Sequence, residues 1–331
     1  MLRSAIDIGT NTVLLLIARI TDEGRLQVLR EEQRIPRLGR KVDAAKRLHP
    51  ESIGRVLEAL EEYQAIIEAS QTEKESVAAP VVTATSAVRD AGNRAGFLDV
   101  VKQRTGWEIR LLSGDEEARF TYRGALSVLS STKDKPVMVL DIGGGSTETA
   151  FGEAHHTEPT QVRSVDAGCV RFSERYLSGP EFEAAPEAQI AACFEAARIA
   201  FTELHDIRAA VRSAGQTPQL VGVAGTLTSL AVMHHYDDFK DTQAYDAERI
   251  NGLVLSQQVV RQWRRRVFEA GPERLIRDFP LVMQGRADIY LAGLIILEAF
   301  MEYFRLPEVV VSTGGIRHGA LLYARDDAAR S

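Results

Sequence analysis

The chain has 331 residues, enough for about two domains with a core each. With 45% hydrophobic and 26% charged residues its composition is that of an ordinary globular protein, which argues against disorder. A net charge of −6 excludes a whole-chain basic excess of the kind that coats nucleic acid, although a local basic pocket for an anion remains compatible with it.

In chain order, residues 5–8 and 13–20 read as two strands of a hairpin around Gly9-Thr10-Asn11-Thr12. The apolar run 13–18 is a strand rather than a signal peptide, since Asp7 and Asn11 precede it and no clean cleavage site follows. Residues 25–34 read as a further strand. Ile53, Val56, Leu57, Leu60, Tyr63, Ile66 and Ile67 form one stripe, which predicts an amphipathic helix over 51–70. A buried strand at 80–85, a helix carrying Phe97, Val100 and Val101, a strand at 108–112 and a helix at 115–129 follow. The second half begins with an apolar strand at 137–142, a glycine turn and a strand at 148–151. Then come a long helix around 188–212, a strand at 220–223, a helix at 225–233 and a mostly helical stretch at 248–268. A long apolar helix at 286–304, a strand at 309–312 leading to Gly314-Gly315, and a last helix complete the chain; 234–246 is a polar connection. The longest late apolar run, 291–300, contains Glu298 and is far short of the ~20 residues that span a bilayer. Two cysteines, Cys169 and Cys193, form no metal-type pair and suggest a reducing compartment. A soluble, cytoplasmic protein with no membrane or nucleic-acid partner is expected.

One pattern occurs twice. IDIGTNTVLLLIA at 6–18 and LDIGGGSTETAFG at 140–152 are both strand, Asp, glycine turn with hydroxyl or amide residues, then strand. Too widely spaced for a solenoid repeat, they look like two copies of one domain plan. Glycines in such a turn let backbone N–H groups approach an anion, and an Asp at a strand end can hold a divalent cation. Three successive glycines weaken a strand and need a reason, so the second turn is the stronger signal. Neither turn is followed by the Lys-Ser/Thr of a Walker loop, and neither opens a helix as a dinucleotide fingerprint does.

Eight segments in order carry a resemblance: IDIGTNTVLLLIA, TATSAVRDAGN, LLSGDEEARFTYRGA, VMVLDIGGGSTETAFGE, VDAGCVR, VAGTLTSLA, RADIYLAGLIIL and VSTGGIRHGALL. Together they resemble the exopolyphosphatase / guanosine-pentaphosphate phosphatase (Ppx/GppA) family over essentially the whole chain. The resemblance implies an α/β fold of two actin-like ATPase (ribonuclease H-like) domains flanking a central cleft. Domain I is expected at 1–124, with a C-terminal helix 316–331 packing back on it, and domain II at 125–315, which is the short two-domain form. It implies hydrolysis of a terminal phosphoanhydride with Mg²⁺ or Mn²⁺. Inorganic polyphosphate is the favoured substrate; pppGpp hydrolysis or a non-catalytic phosphate or alarmone sensor are the alternatives, and a homodimer is among the expected assemblies.

Carried over residue by residue, Glu117 matches the general base, and its neighbour Glu116 is the alternative, since adjacent helix positions point about 100° apart. Asp115, Glu116, Glu117 and Arg119 would equally suit a solvated helix face. Arg89 matches a phosphate-contacting arginine whose planar guanidinium suits bidentate contact. Asp141 and Glu148 match carboxylates of the metal region. Gly143, Gly144, Gly145, Ser146 and Thr147 would bind phosphate, as would Asp7, Gly9, Thr10 and Asn11; Gly225 and Thr226 resemble a third glycine turn. The loop Arg37, Gly39, Arg40, Lys41 carries Arg40 where the family often has an acid. Thr313 and His318 likewise replace acids, which should make that region more basic. Few aromatic residues near the motifs could stack a guanine; Phe120 and Tyr122 are the candidates. His155-His156 and His234-His235 lack ligand partners at metal spacing, Cys169 suits packing, and the basic stretch 261–266 reads as a solvated face.

Overall fold

The structure is a computed structural model that describes residues 2–21, 25–71, 76–129, 135–153, 155–235 and 246–330. It comprises two compact units, Met1–Ser127 with Gly314–Ser331, and Val128–Thr313.

The first unit contains β1 (Leu2–Ile8), β2 (Val13–Ile20), β3 (Leu26–Arg34), α1 (Val42–Ala45), α2 (Pro50–Ala69), β4 (Val81–Ala84), α3 (Ser86–Arg89), α4 (Arg94–Thr105), β5 (Ile109–Leu111) and α5 (Gly114–Ser127). Its sheet has the order β3-β2-β1-β4-β5, with β1, β2 and β3 antiparallel and β4 and β5 added in parallel. Strand β2 reads VLLLIARI because both its faces are covered. Val13, Leu15 and Ile17 meet Val56, Leu60 and Tyr63 of α2 and Phe97 of α4, while Leu16 and Ala18 meet Phe120 of α5.

The second unit runs β6 (Pro136–Ile142), β7 (Thr147–Glu153), β8 (Gln161–Val165), α6 (Cys169–Tyr176), α7 (Gly179–Ala184), α8 (Pro186–Ala200), a 3₁₀ turn (Phe201–Leu204), α9 (His205–Ser213), β9 (Gln219–Val223), α10 (Ala224–His234), α11 (Ala247–Ile250), β10 (Val254–Ser256), α12 (Gln257–Asp278), α13 (Pro280–Met283), α14 (Ala287–Phe304) and β11 (Glu308–Val311). The last helix, α15 (Ile316–Arg330), packs on α5 and β1 of the first unit. There Phe120 stacks on Tyr323 and Arg123 pairs with Asp326. Read from β8, the second sheet is β8-β7-β6-β9-β11-β10. Its first five places repeat the order and the parallel or antiparallel sense of the first sheet, with β10 as an added antiparallel edge. The duplicated motif is therefore a duplicated α/β plan of the actin-like (ribonuclease H-like) kind.

The long helix expected at 188–212 is interrupted. Thr202 donates its hydroxyl to the Ile199 carbonyl, and the chain tightens into a 3₁₀ turn that buries both Phe201 and Leu204. The stretch 248–268 contains β10, and α12 is broken at Gly271 (φ 70°) before Pro272. Most of the connection 234–246, from 236 to 245, lies outside the described residues. Among the described residues no helix is long and apolar enough to cross a membrane.

Candidate active site

In the first unit, β1 delivers Asp7 to the sheet end, and the Gly9 N–H closes the turn onto the Thr12 carbonyl at 2.9 Å. The carbonyls of Thr10 and Asn11 accept from the N–H groups of Gly39 (2.7 Å) and Arg37 (3.1 Å). The loop 36–41 is thus fastened to the back of the turn. A side chain at 39 would overlap the Thr10 methyl, so glycine is required for this approach. Because a trans peptide sets N–H opposite to C=O, the N–H groups of Asn11 and Thr12 turn away from that loop. Arg37 (φ 55°) and Lys41 (φ 62°) adopt left-handed backbone conformations, and Arg40 between them is exposed.

From the turn a chain of polar contacts leads to the carboxylate of α5. The Thr10 and Ser86 hydroxyls are hydrogen-bonded at 3.0 Å, and Ser86 opens α3, which ends in Arg89. Arg89 donates from Nη1 to the Leu112 carbonyl at 2.9 Å and to the Glu117 carboxylate. Glu117 is only 3% exposed. Asp7 accepts from the Thr83 hydroxyl, its register partner on β4, at 3.2 Å.

Glu116 is engaged otherwise. Its carboxylate accepts from the Ser113 N–H (2.9 Å) and the Ser113 hydroxyl (3.0 Å), while its own N–H donates to Ser113 Oγ (3.2 Å). This is a reciprocal N-terminal cap on α5. Arg110 adds an ion pair at 2.7 Å. Partial burial pushes the Glu116 carboxyl up, but Ser113 and Arg110 outweigh it and hold the group below the usual value.

The second unit repeats the turn. The Gly143 N–H donates to the Ser146 carbonyl at 3.0 Å, as Gly9 does to Thr12. Here the back of the turn is held by α6. The Cys169 N–H donates to the Gly143 carbonyl (2.9 Å), and the Val170 (2.8 Å) and Arg171 (3.1 Å) N–H groups donate to that of Gly144. Arg171 Nε donates to the Gly145 carbonyl at 2.7 Å. With three successive carbonyls directed at α6, the N–H groups of Gly144, Gly145 and Ser146 face the other way. None of the three donates to an acceptor among the described residues. A row of N–H groups turned to one side is chemically suited to an anion. Gly168 makes the close approach feasible, since a side chain there would overlap the Gly144–Gly145 backbone.

Asp141 and Glu148 lie directly opposite each other on β6 and β7, so their buried carboxylates share one face of the sheet. Like charges in that position repel, and a cation relieves this. Glu148 also accepts from the hydroxyl of Ser164, its partner on β8, at 2.6 Å. Among the described residues no group of three or more carboxylate, His or Cys ligands occurs. Two hard carboxylates suit Mg²⁺ or Mn²⁺, because such an ion completes its shell with water and substrate phosphate.

Other expected residues have different surroundings. The Thr147 hydroxyl donates to the Ala167 carbonyl within the fold. Gly225 follows Ala224 (φ 63°) at the start of α10 and stands against the Arg286 guanidinium, while the Thr226 side chain lies against Gly293 of α14. Phe120 and Tyr122 are both buried. His318 adds no cation to its region: burial, with help from Arg317, pushes it down to about 3. In the basic stretch of α12, Arg261 pairs with Glu298 and Glu302, Arg264 with Glu298, and Arg266 lies over the Trp263 ring. Burial pushes the Cys169 thiol up to about 11 and that of Cys193 up to about 12, so neither is a ready thiolate. Gly168, Arg171, Ser164 and Thr83 were not singled out as site residues from the sequence. For the first two, the segment VDAGCVR held a signal: a glycine one residue before the helix that holds the turn, and an arginine inside it.

Known proteins resemble this chain over nearly its whole length. A family model described as the Ppx/GppA phosphatase family matches residues 16–327. Exopolyphosphatase 2 of Mycobacterium tuberculosis is 31% identical over 340 residues, covering 96% of this chain and 97% of that protein. A bifunctional 3-dehydroquinate synthase/phosphatase of Fusobacterium nucleatum is 29% identical over 326 residues; the match takes in 97% of this chain but 46% of that longer protein. The crystal structure of an Aquifex aeolicus member of the Ppx/GppA protein family superposes with a TM-score of 0.76 at 29% identity, covering 100% of this chain and 99% of that one. With its duplicated sheet plan, its two closed glycine turns and a family match over nearly its whole length, the chain belongs to the Ppx/GppA phosphatase family.

Proposed function

We propose that the protein is an exopolyphosphatase, releasing terminal orthophosphate from inorganic polyphosphate. Water attacks the terminal phosphorus in line with the bridging oxygen; the P–O bond to the next phosphate breaks, and a chain one phosphate shorter leaves. Glu117 accepts the proton of the attacking water. Arg89 fixes the Glu117 carboxylate and brings positive charge to the phosphate. The N–H groups of Gly144, Gly145 and Ser146 bind phosphate oxygens, and those of Asn11 and Thr12, in the turn that follows Asp7, do the same. Asp141 and Glu148 hold Mg²⁺ or Mn²⁺, which when bound supplies charge neutralisation for the phosphate oxygens.

The observation that carries this reading is Glu117, a carboxylate 3% exposed and paired with Arg89, while its neighbour Glu116 is consumed in the helix cap. Polyphosphate is favoured over pppGpp on two grounds. The loop carrying Arg37, Lys41 and the exposed Arg40 ties to the back of the first turn, and its positive charge favours a polyanion through its field rather than by contact with the terminal phosphate. Phe120 and Tyr122, the aromatic residues nearest the motifs, are buried and offer no face to a guanine. The name of the M. tuberculosis relative points the same way. A cytoplasmic location fits two buried, unpaired thiols. Orthophosphate release from polyphosphate and from pppGpp, measured side by side with Mg²⁺ and Mn²⁺, tests the reading. Faster turnover of polyphosphate is expected, and faster turnover of pppGpp overturns the substrate choice.

A further inference from the structure

We propose that Arg171 is a positioning residue for the turn 143–146, setting the direction and electrostatic strength of its N–H groups. This rests on reading that turn as a phosphate receptor. Arg171 is 5% exposed, and its Nε donates to the Gly145 carbonyl at 2.7 Å. The peptide between Gly145 and Ser146 is planar, so fixing that carbonyl fixes the Ser146 N–H on the opposite side. The helix backbone fastens the carbonyls of Gly143 and Gly144; the third is fastened by this side chain.

A buried guanidinium is costly to desolvate, and an apolar side chain of similar volume is often no less stable. Stability alone therefore does not account for a charge here. The Asp166 carboxylate, on a side chain 80% exposed, lies 3.5 Å from Nη2. A guanidinium hydrogen-bonded on the carbonyl side polarises the Gly145–Ser146 peptide and strengthens its N–H as a donor on the other side. Arg171 touches the turn from behind, so it acts on a ligand through the backbone and not by contact.

The test measures binding of inorganic phosphate to the purified protein by calorimetry, together with kcat and KM on polyphosphate. Arg171→Met keeps the volume and removes the charge and the donor. It should weaken phosphate binding and raise KM by ~10-fold, with a smaller change in kcat, as expected for loss of one charge-assisted hydrogen bond. Arg171→Lys keeps the charge but not the planar fork, and should fall between, at ~3-fold. Should the Met variant fail to fold, the Lys variant decides alone. Either folded variant binding phosphate as the wild type does overturns the proposal. Gly144→Val separates this from the underlying reading. If it also binds phosphate normally, the turn is not the receptor at all; if it loses binding while Arg171→Met does not, the role of Arg171 alone is refuted.

Discussion

His318 gives the structure a pH dependence that can be worked out in advance. Its ordinary value is 6.5, and burial, with a smaller push from Arg317, lowers it to about 3 in the folded chain. Between those values the unfolded chain binds a proton that the folded chain refuses. Stability from this group is complete above pH 6.5 and is lost as pH falls, at about 1.4 kcal/mol per unit. By pH 5 the loss is roughly 2 kcal/mol, a large share of a typical domain's stability. His318→Asn removes the titration while keeping an acceptor near Nδ1, which faces the Gly315 N–H at 3.4 Å. The chain has two tryptophans, Trp107 in the first unit and Trp263 in the second. In a Trp263→Phe background, Trp107 fluorescence follows the unit that holds His318. Urea unfolding at pH 7, 6 and 5 should show a steeper decline with His318 than with Asn at that position. Parallel declines in the two proteins would refute the argument.

Three further outcomes follow from the same contacts. Gly144→Val, which places a β-branched side chain beside the Gly144 N–H, should nearly abolish turnover while circular dichroism stays native; full activity would reduce the glycine run to a bulge. Glu116→Ala breaks the cap on α5 and should cost ~1 kcal/mol in thermal unfolding, with kcat changed by less than ~3-fold. Arg40→Glu should weaken long polyphosphate more than short chains, and added salt should erase much of the difference; equal effects at all lengths would remove the loop from substrate binding.

Much of the fold was legible because its signals are local. The paired Asp–Gly turns at 6–18 and 140–152 mark equivalent hairpins, and both sheets repeat one order around them. The apolar stripe of α2 placed that helix to within a residue at each end. The site was less legible because its partners are distant in sequence. Arg171 reaches Gly145 across 26 positions and Thr10 meets Ser86 across 76, which no spacing rule anticipates. Glu116 and Glu117 look alike in SGDEEAR, and burial separates them. Yet Ser113 three residues before Glu116 is a capping signal that was present in the string. His318 shows the reverse error: a residue that reads as added positive charge is buried and neutral at pH 7.

The central claim is that Glu117 is the base for water attack on polyphosphate. Steady-state orthophosphate release from polyphosphate by wild type, Glu117→Gln and Glu116→Gln tests it most directly. A kcat ~10²–10⁴-fold lower is expected for Glu117→Gln, with KM little changed, and a Glu116→Gln enzyme close to wild type. A Glu117→Gln enzyme that turns over normally, or a Glu116→Gln enzyme that is the severely impaired one, would contradict it.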